Sequence, residues 1–90
     1  MSNRVVVPEL VTKARENMGL SIRGFIKSIN KAYSVATQSY IEAGRYRPGL
    51  ETREILLAGL KVTEEDITLP LSELKTRKTE YPKFFAKGVK

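Results

Sequence analysis

Residues that start or end helices recur at short intervals along the chain, and they limit it to a set of short helices. Pro8 suits the first turn of a helix, and Gly19 ends the segment that Pro8 begins. Ser21 and Ser34 are typical N-cap residues, and Gly44 is a typical C-terminal stop. Apolar residues recur at helical spacing between these signals. The sequence therefore predicts helices over about 8–18, 21–30, 34–44 and 50–60, with a short fifth helix or turn at 63–69.

We therefore expect an all-α fold, a compact bundle of four or five helices without a convincing strand. The chain has 90 residues, which allow one domain but not two cores, and 41% of them are hydrophobic, enough for a modest core. The predicted organisation is an N-terminal arm at 1–7, a helical domain at 8–69 and a basic, aromatic C-terminal tail at 70–90.

The charge balance favours a polyanionic partner. The formal net charge is +6, which points to nucleic acid first and to an anionic membrane second. A membrane-surface binder needs one helix with a basic face and a large apolar face, and no predicted helix has both. The sequence also has no apolar run long enough to span a membrane and no secretory signal. We expect a cytoplasmic protein with no membrane partner.

Two residue types that carry much of enzyme chemistry, Cys and His, are absent. Without them the commonest nucleophile–base pairs and all thiolate metal sites cannot be built. The acidic stretch TEED at 63–66 is better explained as a helix start, with Thr63 as N-cap and acids in the first turn. The sequence predicts no catalytic residue, no metal ligand and no cofactor, and a protein that is not an enzyme.

The second and third predicted helices have the pattern of a helix-turn-helix. Each begins at a serine cap, the turn NKAY at 30–33 separates them, and a basic loop, GRYRPG at 44–49, follows the third. The outward residues of a recognition helix must be short, because the helix lies against base edges in the major groove. The candidates for reading bases are Val35, Ala36, Gln38 and Ser39.

Three stretches that follow in this order, LVTKARENMGLS, YIEAGRYRPGLE and LAGLKVTEEDI, resemble the lambda-repressor/Cro-like (XRE-type) family of helix-turn-helix regulators. The resemblance covers about residues 8–69, which would be the DNA-binding domain. It implies a sequence-specific transcriptional regulator, a repressor that binds a pseudo-palindromic operator in double-stranded DNA as a homodimer.

The resemblance also implies roles for individual residues. In this family an Arg of the first helix pairs with the Glu that ends the third, which corresponds to Arg15 and Glu42. Arg45 and Arg47 match the loop residues that contact phosphates in the family. The other predicted phosphate ligands lie near the start of the second helix and in the turn; they are Arg23, Lys31 and Ser34.

The chain departs from the family pattern at three positions. The stretch between Arg15 and Glu42 is longer than usual by two residues, which we place in NKAY. Ile22 stands where the family often has a phosphate-binding Gln, so we expect Arg23 to make that contact. Gln38 stands where an apolar residue is usual, and it is either an outward base reader or a sign that the register is shifted by one.

The tail leaves a second function open. Related antitoxins use the same bundle to bind DNA and a tail to bind a toxin, so the tail containing KFF at 83–85 is a candidate segment for a protein partner. Aromatics interleaved with lysines also suit stacking on bases, and a chain end can be disordered. Because exposed Phe84 and Phe85 would be costly, we favour packing of the tail at a dimer interface.

Overall fold

Residues 4–85, which the computed structural model describes, form six α-helices, a 3-10 helix and two short strands. The helices are α1 (Pro8–Asn17), α2 (Ile22–Ser28), α3 (Val35–Ala43), α4 (Leu50–Leu60), α5 (Glu64–Ile67) and α6 (Leu71–Thr76), and the 3-10 helix is Pro82–Phe85. The strands are β1 (Arg4–Val6) and β2 (Thr68–Pro70). The chain is mostly helical, as the sequence predicts, and α1 to α5 lie within two residues of their predicted ends.

Polar residues explain where the two central helices begin. The Ser21 Oγ accepts a hydrogen bond from the backbone N–H of Gly24, and the Ser34 Oγ accepts one from that of Thr37, each at 3.0 Å. Each bond satisfies a donor that the start of a helix leaves unpaired. Helix α3 ends at Gly44, whose φ of 78° is a left-handed conformation that a residue without Cβ adopts at little cost.

The expectation of a chain without strands is wrong. β1 pairs antiparallel with β2, so that Val5 lies opposite Leu69. Arg4 reinforces the pairing, since its Nε donates to the Thr68 Oγ1 and its Nη2 donates to the Thr68 carbonyl, both at 2.9 Å. Three residues are too few for an alternating pattern to appear, and the partner of Arg4 lies 64 residues away. The local sequence therefore carries no signal for this sheet.

The main core lies among β1 and α1 to α5. The helical spacing predicts that the core face of α4 consists of Leu50, Leu56, Leu57 and Leu60. Leu56 and Leu60 are buried and Leu57 packs against the core, but Leu50, the first residue of the helix, is 75% exposed. The fully or almost fully buried members of this core are Val6, Val11, Phe25, Ile26, Ile41, Leu56, Leu60 and Ile67.

Helix α4 approaches α2 closely at Gly59. A Cβ added there would lie 2.5 Å from the Ile29 Cγ2 and 2.9 Å from the Phe25 Cζ, closer than real Cβ atoms come. An interior Gly often marks close approach of another backbone, so the sequence predicts that Gly24 is a packing point between the first two helices, and this is wrong. A Cβ added at Gly24 meets only the side chains of Ser21 and Leu20, just before its own helix, at 3.4 Å or more.

The tail folds back on the rest of the chain. Helix α6 and the 3-10 helix form a second small core in which Leu74, Phe84 and Val7 are buried. Phe84 is 3% exposed, and its ring meets that of Phe85 edge-on at 5.0 Å. The sequence favours packing of Phe84 and Phe85 at a dimer interface, and for Phe84 the chain itself supplies the packing. The predicted tail also includes 86–90, which lie outside the described residues.

Candidate nucleic-acid interface

A turn with two consecutive left-handed residues joins α2 to α3. Asn30 and Lys31 each have a φ of 57°, which is uncommon for residues with a side chain. The Lys31 N–H donates to the Ile26 carbonyl at 2.9 Å and so closes the end of α2. The irregular backbone covers residues 29–34, and it includes the NKAY stretch where the sequence predicts the turn.

A buried ion pair holds α3 against α1. The Arg15 Nε donates to the Glu42 Oε2 at 2.8 Å, and the Arg15 Nη2 donates to the Oε1 at 2.9 Å. The two side chains are only 11% and 7% exposed. Arg15 also donates from Nη1 to the Leu20 carbonyl, at 2.6 Å, and Thr12 donates to the Glu42 Oε1 at 3.0 Å. The pair that the sequence predicts thus joins α1, α3 and the segment before α2.

Gln38 belongs to this buried network and not to the outward face of α3. Its side chain is 0% exposed. Its Nε2 donates to the Glu42 Oε2 at 2.7 Å, and its Oε1 accepts a bond of 2.6 Å from the Tyr33 hydroxyl. The prediction that Gln38 reads bases is therefore wrong. It occupies an inward position of α3, where its hydrogen bonds to Tyr33 and Glu42 offset the cost of burying an amide.

The network sets the charge states of its members. Burial raises the pKa of Glu42, but hydrogen bonds from Arg15, Gln38 and Thr12 together outweigh burial and hold that pKa below its ordinary value of 4.5. The hydrogen bond to Glu42 holds the pKa of Arg15 above its usual range, against the effect of burial. Burial, and then the charge of Glu42, raises the pKa of Tyr33. At neutral pH Glu42 is charged and Tyr33 is neutral, as their hydrogen bonds require.

The outward face of α3 is formed by Ala36, Ser39 and Tyr40, which are all exposed. Their spacing of three and four residues places them on one side of the helix. Val35, in the first turn, is only partly exposed. Tyr40 is 50% exposed, and sequence reasoning missed it by placing it beside the inward stripe. Its spacing of four from Ala36 is the signal that identifies it. The carboxylate of α3 belongs to Glu42 and is buried, so the outward face carries no negative charge.

Three basic side chains line an open groove at the start of α3. Arg23 and Lys27 come from α2, Lys31 comes from the turn, and Val35 of α3 also lines the groove. Arg23 and Lys31 are predicted phosphate ligands, and the structure brings them to the same groove. Lys27 lies with them and was not predicted, although its spacing of four from Arg23 places both on one side of α2.

Ser34 and Arg45 flank α3 at its two ends. The Ser34 hydroxyl accepts from the Thr37 N–H and lies 3.0 Å from the Thr37 Oγ1, so its role within the protein is to cap the helix. Arg45 is exposed, and its guanidinium carbon lies 5.8 Å from the centre of the Tyr40 ring. The Arg45 cation is therefore beside the outward face of α3.

Arg47 contacts the tail. Its guanidinium carbon lies 4.2 Å from the centre of the Phe84 ring, and its Nη2 donates to the Phe84 carbonyl at 3.2 Å. The two arginines of the basic loop thus have different surroundings, since Arg45 lies beside Tyr40 of α3 and Arg47 lies on Phe84 of the tail.

Comparison with known proteins gives no relative: no family model, no curated protein and no solved structure matches the chain. Among the described residues, no group of three or more His, Cys, Asp or Glu side chains is arranged to hold a metal ion. None of the helices within 4–85 has the length and apolar character needed to cross a bilayer.

Proposed function

We propose that the protein is a sequence-specific DNA-binding transcriptional regulator in which α2 and α3 form a helix-turn-helix and α3 reads bases in the major groove. The observation that carries the proposal is the outward face of α3, where Ala36, Ser39 and Tyr40 are exposed together without a carboxylate. The small Ala and Ser let the helix approach the base edges, and the hydroxyls of Ser39 and Tyr40 can donate or accept hydrogen bonds.

The dimensions of α3 suit this role. The helix has 9 residues, so its axis is about 13 Å long, and the major groove of B-DNA is about 12 Å wide. Cations lie at both ends of the helix, since Arg23, Lys27 and Lys31 line the groove at its start and Arg45 follows its last turn. These cations would bind the phosphates on either side of the major groove and set the register in which α3 meets the bases.

The buried network supports base reading by fixing the orientation of α3. A recognition site works only when its supporting residues hold it to within about 0.5 Å. The two parallel hydrogen bonds from Arg15 to Glu42 specify one arrangement of α1 and α3. Gln38 carries the network on to Tyr33, so the turn before α3 is tied to the same pair.

We also propose that two copies bind one pseudo-palindromic operator and repress transcription by covering a promoter. One short recognition helix reads only a few base pairs, and a two-fold pair of helices reads twice as many. The half-sites should then be centred about 34–36 Å apart, one turn of DNA. Sedimentation of the protein with duplexes that carry one or two half-sites measures this stoichiometry.

A selection from random duplexes, followed by titrations at several salt concentrations, tests the proposal. The wild type should enrich one sequence and bind it at least about 10³-fold more tightly than random DNA. Ser39→Ala and Tyr40→Phe should each relax the preference at one or two base pairs by about 1–3 kcal/mol and leave the salt dependence unchanged. Arg45→Ala should weaken selected and random DNA alike and flatten the slope of log affinity against log salt by about 1.

Lys13→Ala is the matched control for Arg45→Ala, because Lys13 is an exposed cation on α1 that lines a different surface groove. It should leave both affinities and the slope close to those of the wild type. If the protein bound DNA in a salt-dependent way but enriched no sequence, the proposal that α3 reads bases would be wrong. Absence of any salt-dependent binding to duplex DNA would overturn the function as a whole.

A further inference from the structure

We infer that the tail is part of the DNA-binding surface: the Lys83 side chain is a phosphate ligand beside Arg45, and Arg47 is the positioning residue that keeps the tail in place. This inference rests on the proposed function. It assigns a phosphate-ligand role to a residue outside the helical domain at 8–69, in a tail for which the sequence suggests only stacking on bases or a protein contact.

The tail backbone lies directly against the end of α3. A Cβ added at Gly44 would overlap the Lys83 carbonyl oxygen and lie 2.7 Å from its carbonyl carbon. Gly44 caps α3 directly after Ala43 and directly before Arg45. The 3-10 helix therefore meets α3 at its C-terminal end, where Arg45 begins the loop.

Lys83 makes its contacts with the rest of the chain through its backbone. Its N–H donates to the Glu9 Oε2 at 2.8 Å, and its carbonyl lies against Gly44. Its side chain is exposed, and within residues 4–85 no carboxylate forms an ion pair with it. An ammonium on a flexible four-carbon stem, starting at the end of α3, can reach a phosphate next to the one that Arg45 binds.

Arg47 contacts the tail at Phe84, the residue that follows Lys83. Its guanidinium carbon lies 4.2 Å from the centre of the Phe84 ring, and its Nη2 donates to the Phe84 carbonyl at 3.2 Å. Phe84 is anchored in turn, since it is 3% exposed and packs with Val7 and Leu74. Arg47 therefore acts on DNA through the residue that precedes Phe84 in the chain, which is Lys83.

The experiment measures salt dependence for Lys83→Gln, Lys83→Arg, Arg47→Gln and the double variant Arg47→Gln/Lys83→Gln, with random duplex DNA as the probe. Because the docking contacts of Lys83 come from its backbone, Lys83→Gln should fold like the wild type, which thermal melting checks. It should lower the slope of log affinity against log salt by about 1, and Lys83→Arg should restore the slope. The double variant should have the slope of Lys83→Gln, because Arg47 acts through Lys83.

Hydrogen exchange of the amides at 81–85 reports the positioning role separately, and Arg47→Gln should accelerate it. Lys13→Gln is the control for lost net charge, and an equal drop in slope there would overturn the inference. A wild-type slope for Lys83→Gln together with a lower slope for Arg45→Gln would overturn it while leaving the proposed function intact. If the slope of the double variant were lower than that of Lys83→Gln by about 1, Arg47 would itself contact a phosphate and would not be a positioning residue. Absence of salt-dependent binding by the wild type would instead refute the proposed function.

Discussion

Gln38 and Glu42 lie one turn apart on α3, and the Gln38 Nε2 donates to the Glu42 Oε2 over 2.7 Å with both side chains buried. Glu42 also accepts two hydrogen bonds from Arg15 and one from Thr12. A carboxylate has about four lone-pair sites, so these bonds satisfy it completely. Removing any one donor leaves buried charge or a buried polar atom without its partner.

Glu42→Ala should destabilise the protein strongly. Arg15 would stay buried without its carboxylate, and breaking a buried pair in this way costs about 3–5 kcal/mol. Urea denaturation followed by circular dichroism gives the free energy of unfolding. Glu73→Ala is the matched control, because Glu73 pairs with Arg77 on the surface at 2.6 Å, and an exposed pair contributes under about 1 kcal/mol. Equal midpoints for Glu42→Ala and the wild type would show that the pair does not support the fold.

Gln38→Ala should lower stability by about 1–3 kcal/mol, because the Tyr33 hydroxyl loses its acceptor and Glu42 loses a donor in the interior. Ser39→Ala, at the adjacent exposed position, should change stability by no more than about 0.5 kcal/mol. Thermal melting compares the two variants. Once folded, Gln38→Ala should keep the base preference of the wild type. If Gln38→Ala relaxed the base preference without changing the stability, Gln38 would lie on the outward face of α3 and the prediction would be wrong.

Acid should destabilise the protein through Glu42. Its pKa in the folded protein lies below the ordinary 4.5, so the unfolded chain binds the proton more readily. The stability that this carboxylate contributes is present above pH 4.5 and is lost as the pH falls through the folded pKa. The difference in unfolding free energy between the wild type and Glu42→Gln should therefore shrink between about pH 6 and pH 3. Glu54→Gln, at an exposed position of α4, controls for loss of one carboxylate. A constant difference for Glu42→Gln would contradict the prediction.

Two glycine substitutions should change stability in opposite directions. Gly59→Ala forces a Cβ to within 2.5 Å of Ile29 and 2.9 Å of Phe25, and overpacking of this kind costs about 1–3 kcal/mol. Gly24→Ala meets only ordinary contacts inside α2, so it should gain up to about 1 kcal/mol of helix propensity. Chemical denaturation of the two variants measures both changes in the free energy of unfolding. Stabilisation by Gly59→Ala would show that α2 and α4 do not pack closely in solution.

The sequence predicts the helix boundaries well because they depend on near neighbours. Ser34 caps an N–H three residues ahead, and Gly44 supplies a backbone conformation at its own position. The pairing of Arg15 with Glu42 spans 27 residues and was predicted from the resemblance to a family, not from local pattern. Periodicity alone could not assign Gln38, because an amide is buried at low cost only where partners satisfy it, and here those partners are Tyr33 and Glu42.

The rest of the site could not be predicted, because it depends on contacts between distant parts of the chain. Nothing near Lys83 in the sequence indicates that its backbone lies on Gly44. Phe84 packs partly against Val7, which comes from the other end of the chain. The resemblance to a family gives Arg45 and Arg47 the same role, and only the packed tail distinguishes their surroundings.

The pairing of β1 with β2 has a consequence for the order in which the chain folds. Arg4 bonds to Thr68 across 64 residues, and Val7 is covered by residues from the tail. Closing so long a loop costs more conformational entropy than packing the helices together, because the contacts between the helices are more local. During synthesis α1 to α4 can pack before the tail has left the ribosome, whereas β1 cannot pair until β2 has been synthesised. We expect pulse-labelled hydrogen exchange to find that the first strand to be synthesised is among the last segments to become protected.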